Sequence, residues 1–167
     1  MPDFNLETLN PYELGETGIK EAIPYLLESS GSVVAVSSIT GYTGLPARTG
    51  YASSKYAVHG FMESLRIEHL KTGLHVMVIA PSFTESDVRK NALTFDGSPQ
   101  GITPRNEESL MSSEEAAKIM VKAIIKRKQA LVMTWKGTAI VFLRKVFPRF
   151  LDKFTYTQMK KEPNSPF

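Results

Sequence analysis

An α/β fold built on a parallel sheet is what this sequence predicts, and three observations carry the prediction. Ser32–Val36 (SVVAV), Leu74–Ala80 and Ala130–Trp135 are short, β-branched or apolar runs, the pattern of strands buried on both faces. Stretches with helical spacing of apolar residues alternate with them. The connections between the runs are long enough for the crossovers that parallel strands need, and right-handed helical crossovers are the expected topology.

The elements follow in order. Ile19, Ala22, Ile23, Leu26 and Leu27 recur at helical spacing, Pro24 is expected to kink that helix, and Gly31 to stop it. After the first strand, residues 38–50 are rich in Gly, Thr, Pro and Ser and read as a loop. A helix is expected from Tyr51 to Lys71, with Ala52, Tyr56, Ala57, Phe61, Leu65 and Leu70 available to face the sheet. Pro81 ends the second strand. Residues 82–111 form a long polar segment, the expected substrate loop. Ser112 with Glu115 is a capping box for a helix over 113–127. The tail 138–167 is expected to be amphipathic, helical to 160 and broken at Pro148. The whole chain, 1–167, is read as a single partial domain.

Composition narrows the chemistry. With no cysteine, disulfide frameworks, thiolate catalysis and Cys-based zinc sites are excluded. The N-terminal residues lack a basic segment followed by an apolar one, and no apolar run reaches membrane-spanning length, so a cytoplasmic chain is the default expectation. Residues 1–117 carry 8 Lys/Arg against 15 Asp/Glu, whereas 118–161 carry 12 against the single acid Asp152. Such a split suits a solvated basic helix face or a surface that meets an anionic membrane; no nucleic-acid partner is expected.

Tyr51 and Lys55 are four residues apart and therefore project from one helix face. A phenol ionises near pH ~10, a neighbouring ammonium favours the phenolate, and a tyrosine so tuned can exchange a proton with an alcohol or carbonyl oxygen. The pair alone decides nothing, since Tyr156 and Lys160 repeat the spacing. Context separates the two. The first strand runs into Val36-Ser37-Ser38-Ile-Thr-Gly41, followed by Gly44-Leu-Pro46 and Gly50-Tyr-Ala-Ser-Ser-Lys-Tyr-Ala57.

In these residues the chain resembles the classical short-chain dehydrogenase/reductase family, with Ser38 thirteen positions before Tyr51. The likeness continues through Gly60–Arg66 and Val76–Pro81. It implies a partial Rossmann-like, doubly wound parallel sheet: the C-terminal half, with about three strands and flanking helices. It implies a carbonyl–alcohol interconversion with NADP or NAD and a small-molecule substrate, in a homo-oligomer. By the same resemblance Tyr51 is the general acid or base, Lys55 lowers its pKa and holds the nicotinamide ribose, and Ser38 holds the substrate oxygen. Pro81, Ser82, Phe83 and Ser86 stand where the family contacts the nicotinamide carboxamide.

There are departures. Ser82 replaces the family's glycine, and Tyr12 falls where an asparagine extends the proton relay. Within these 167 residues no glycine-rich loop follows an opening strand, for neither Gly15–Gly18 nor Gly41–Gly44 has strand–turn–helix context. The adenosine-binding half is thus expected to be missing and the chain alone to be inactive.

His59, His69 and His75 lack metal-ligand spacing and read as core or surface histidines. Tyr42, Phe61, Phe83 and Phe95 are aromatic candidates for a pocket, with core packing the default for Phe61. Three readings stand: an oxidoreductase catalytic half, a non-catalytic binding or dimerisation module, and a membrane-surface protein using the tail, which otherwise closes the substrate pocket.

Overall fold

The computed structural model describes residues 11–46, 48–81, 83–84 and 110–161. In chain order they form α1 (Pro11–Glu28), β1 (Ser32–Val36), a 3-10 turn (Ile39–Gly41) and α2 (Thr49–Glu68). Then come β2 (His75–Ala80), α3 (Ser113–Ile125), β3 (Ala130–Val132), α4 (Trp135–Val146) and α5 (Pro148–Met159). The strands are parallel in the order β1–β2–β3, with Ser32 opposite His75 and Val78 opposite Ala130. This is the expected three-stranded parallel sheet flanked by helices.

Successive strand residues point to opposite faces, so the continuous apolar runs feed two cores. On one face Val33 and Val76 meet Met62 and Leu65 of α2, with Ile19, Ile23 and Leu26 of α1 against them. On the other, Met77 and Ile79 meet Ala123 of α3, with Met120, Ile124 and Leu131 alongside. Helices α2 and α3 therefore cover opposite faces, although the chain steps in one direction across the sheet. The two crossovers must have opposite hands, which corrects the expectation that both are right-handed. That preference belongs to compact strand–helix–strand units, and the second crossover, from Ala80 to Ala130, is far longer than such a unit needs.

Other boundaries differ from the sequence expectation. Helix α1 runs through Pro24 to Glu28. Its terminus takes the left-handed conformation at Ser30, not at Gly31. Gly31 is instead a close-packing position, where a Cβ would lie 2.7 Å from Leu26 Cδ2. In α2, Val58, Phe61, Met62 and Leu65 make the sheet contact, while Tyr56 and Leu70 are exposed. At about 100° per residue, Tyr56 points roughly opposite to Leu65, and Leu70 lies beyond the helix end. Strand β3 stops at Val132, and Trp135 opens α4, because Thr134 caps that helix by accepting from Gly137 N at 3.1 Å. Pro148 separates α4 from α5 and occupies the first turn of α5, where its missing N–H costs nothing. The Ser112 cap is as expected: its hydroxyl accepts from Glu115 N at 3.2 Å.

The amino ends of the strands are tied by two side chains. Arg127 donates to the Ser30 carbonyl at 2.9 Å and also to the Gly73 carbonyl. His75, 5% exposed, donates from Nε2 to the Lys128 carbonyl at 2.9 Å. A carbonyl can only accept, so Nε2 carries the proton, and Nδ1 lies 2.9 Å from Ser32 Oγ. The turns preceding all three strands are thereby joined. Among the described residues no helix is long and apolar enough to cross a membrane.

Candidate active site

The chemistry-bearing residues collect at the opposite, carboxyl edge of the sheet, where open parallel sheets bind ligands. Strand pairing extends one residue past β1, with Ser37 N donating to the Ile79 carbonyl at 2.7 Å. Ser38 then has extended backbone and caps the 3-10 turn, its hydroxyl accepting from Thr40 N at 3.3 Å. The turn packs on α2 and α4 abuts it from behind: a Cβ on Gly137 would lie 2.7 Å from Ile39 Cδ1.

Tyr51 and Lys55 stand on the first turns of α2. Lys55 Nζ lies 5.6 Å from the centroid of the Tyr51 ring, and the Tyr51 side chain is open to solvent. The neighbouring Ser54 hydroxyl is used up within the helix, donating to the Tyr51 carbonyl at 2.8 Å. So the structure brings Lys55 to Tyr51 and sets Ser38 on the turn that packs against their helix.

One helix turn beyond Lys55, His59 occupies the same side of α2. Its Nε2 lies 2.9 Å from Oγ of the buried Ser37, and the Tyr42 ring meets it edge-on, centroids 4.3 Å apart at 82°. A Cβ on Gly41 would be 2.5 Å from His59 Nε2, so glycine is required for the turn to sit this close. Burial pushes the His59 imidazole below its usual pKa, with Glu63 pulling partly the other way. Burial likewise raises the Tyr42 phenol. The lack of metal-ligand spacing reads His59 as a core or surface histidine and misses this placement. The signal that finds it is its i+4 spacing from Lys55, which puts Tyr51, Lys55 and His59 in one row.

At the end of β2, Pro81 is partly buried and Phe83 exposed. Met111 N donates to the Phe83 carbonyl at 3.1 Å, and Thr84 bridges Met111 in parallel. The ends of the 82–111 segment are thus pinned together beside the strand ends. Ser82, Ser86 and Phe95 lie outside the described residues. Among the described residues no cluster of His, Cys, Asp and Glu could hold a metal ion.

As a donor set, a phenol, an ammonium and a hydroxyl suit a carbonyl oxygen and ribose hydroxyls, the nicotinamide end of a dinucleotide. They offer no backbone cradle for a pyrophosphate.

A family model described as short chain dehydrogenase matches residues 17–96. The chain is 30% identical over 159 residues to dehydrogenase/reductase SDR family member 7B of Danio rerio, covering 93% of this chain and 52% of that protein. This chain belongs to the short-chain dehydrogenase/reductase family. The Dictyostelium discoideum SDR family protein 7-like is 32% identical over 141 residues, covering 82% of this chain and 43% of that protein. The chain therefore spans about half the length of the curated relatives it matches. Among solved structures, a short-chain dehydrogenase from Burkholderia cenocepacia in complex with NADP superposes with a TM-score of 0.68 at 18% identity, over 90% of this chain and 62% of that one. One from Streptomyces avermitilis gives 0.62 at 17%, over 95% and 66%. These structures share the Rossmann-like fold of this family of oxidoreductases.

Proposed function

We propose that the carboxyl-edge cluster is the catalytic centre of an NAD- or NADP-dependent short-chain dehydrogenase/reductase that interconverts a small-molecule carbonyl and its alcohol. The observation that carries this reading is the placement of Lys55 over Tyr51 on the helix against which the Ser38 turn packs. Tyr51 delivers or removes the proton at the substrate oxygen. Lys55 electrostatically supports the tyrosine and binds the nicotinamide ribose. Ser38 donates a hydrogen bond to the same oxygen, and Pro81, Ser82, Phe83 and Ser86 receive the carboxamide. When bound, NAD(P)H would supply the hydride for carbonyl reduction, and NAD(P)+ would accept it in alcohol oxidation.

Holding two reactants in register supplies much of such a rate. The sequence of these 167 residues holds no glycine-rich loop between an opening strand and a helix, so the isolated chain is expected to show no turnover and no measurable NAD or NADP binding by calorimetry. A chimaera with the N-terminal half of the Danio rerio relative placed ahead of residue 11 is expected to oxidise NADPH or NADH with ketone substrates. Tyr51→Phe should lower its kcat by about 100-fold or more. An active chimaera indifferent to Tyr51→Phe would remove the assignment, and micromolar cofactor binding by the isolated chain would overturn its incompetence.

The same reading makes the protein a homo-oligomer. Tyr25 on α1, Ile67 near the end of α2 and Leu70 just beyond it are large apolar side chains left in solvent and support association through those helices.

A further inference from the structure

We propose that the α4–α5 hairpin docks on an anionic lipid bilayer and lies along its surface. At about 100° per residue, Trp135, Phe142 and Val146 fall within roughly 40° of one another on α4 and roughly opposite Gly137. Gly137 is the residue of that helix buried against the turn after β1. The stripe therefore faces away from the domain, and the three side chains are 76%, 62% and 48% exposed. Helix α5 is anchored by Leu151, 2% exposed, while Phe147, Phe150 and Phe154 flank it at 56%, 59% and 49% exposure. The rings of Phe150 and Phe154 stack 6.4 Å apart, forming an aromatic ledge in solvent.

Charge selects the occupant. Residues 135–161 carry seven Lys/Arg and one acid, Asp152, and Asp152 is already paired with Arg144. On α5, Arg149 and Lys153 form a row beside the phenylalanines, and on α4 Lys145 adjoins Phe142 and Val146. Lys136 Nζ lies 5.8 Å from the centroid of the Trp135 ring. An apolar stripe bordered by cations, on helices too short to span, is the pattern of interfacial binding to acidic lipid. A second copy meeting the first hairpin-to-hairpin would set two strongly cationic faces together, which disfavours self-association there.

Trp135 is the single tryptophan of the chain, so its fluorescence reports on this surface alone. The full 167-residue chain is mixed with vesicles of phosphatidylcholine, with or without about 30% phosphatidylserine, and followed by flotation and tryptophan emission. The chain should float with the acidic vesicles only, with a blue shift of Trp135 emission and loss of binding at high salt. The double variant Phe142→Ser/Phe150→Ser should bind roughly tenfold or more weakly. Arg149→Glu/Lys153→Glu should lose the preference for acidic vesicles; in both variants an unchanged circular dichroism spectrum and melting temperature show that the fold persists. Three results would overturn the proposal: no flotation with acidic vesicles, flotation without a Trp135 shift, or self-association in sedimentation that Phe142→Ser/Phe150→Ser abolishes. The last would make a second copy the occupant.

Discussion

The His59 imidazole and the Ser37 hydroxyl meet at 2.9 Å across the junction of α2 and the end of β1. Ser37 is held from the other side by the sheet, and Ser38 is the next residue. His59 stands eight residues beyond Tyr51, so one contact joins the strand that delivers Ser38 to the helix that carries Tyr51 and Lys55.

This junction is closely packed at Gly41, and Gly41→Ala tests it. The added Cβ would lie 2.5 Å from His59 Nε2 and 2.9 Å from Ser37 Oγ, closer than atoms tolerate. Displacement should cost about 1–3 kcal/mol, read as a lower urea midpoint. Gly44→Ala, whose added methyl would meet no atom within 4 Å, should be nearly neutral. Equal effects of the two would show that the turn yields freely.

His59 also makes stability depend on pH. Its folded pKa is lowered by burial from an ordinary value near 6.5. As pH falls below about 6.5 the unfolded chain takes up a proton that the folded chain resists, so folding is progressively disfavoured toward the lowered pKa. Above that window the contribution is fully present. Of the groups around the ring, the Glu63 carboxylate favours the protonated form, but burial outweighs it and sets the sign. Urea unfolding between pH 7 and 5 should lose stability more steeply for the unaltered chain than for His59→Gln. An NMR titration of the ring with a midpoint above 6.5 would contradict the assignment.

Met62 is the keystone between α2 and the sheet. It is 1% exposed and packs with Val33, Leu65 and Val76. Met62→Ala should cost about 2–5 kcal/mol by the cavity it leaves, a large share of the stability of a small domain. The solvent-facing Glu68→Ala should change the urea midpoint little. Comparable losses in both would mean that the α2 face is assigned wrongly.

Much of this was legible along the chain because it depends on neighbours in sequence. Runs such as Val33–Val36 are apolar without alternation, which fits burial on both faces; both cores of the sheet follow from it. Tyr51 and Lys55 share a helix face by spacing alone, and Ser112 caps α3 through a residue three positions away. What tertiary structure decided depends on residues remote in sequence. The opposite hands of the crossovers follow from α2 and α3 covering different faces, a choice no local propensity encodes when a long connection intervenes. Tyr56 points to solvent because the sheet lies against the opposite side of α2. His59 became part of the candidate site because β1 ends at its ring, and Gly41 is needed because that ring and the Ser37 hydroxyl close on it. Local periodicity thus determined which segments form and which faces are apolar. Packing between distant segments decided which polar groups meet at the sheet's carboxyl edge, since hydrogen bonds and steric contacts act over a few ångströms in space, whatever the separation along the chain.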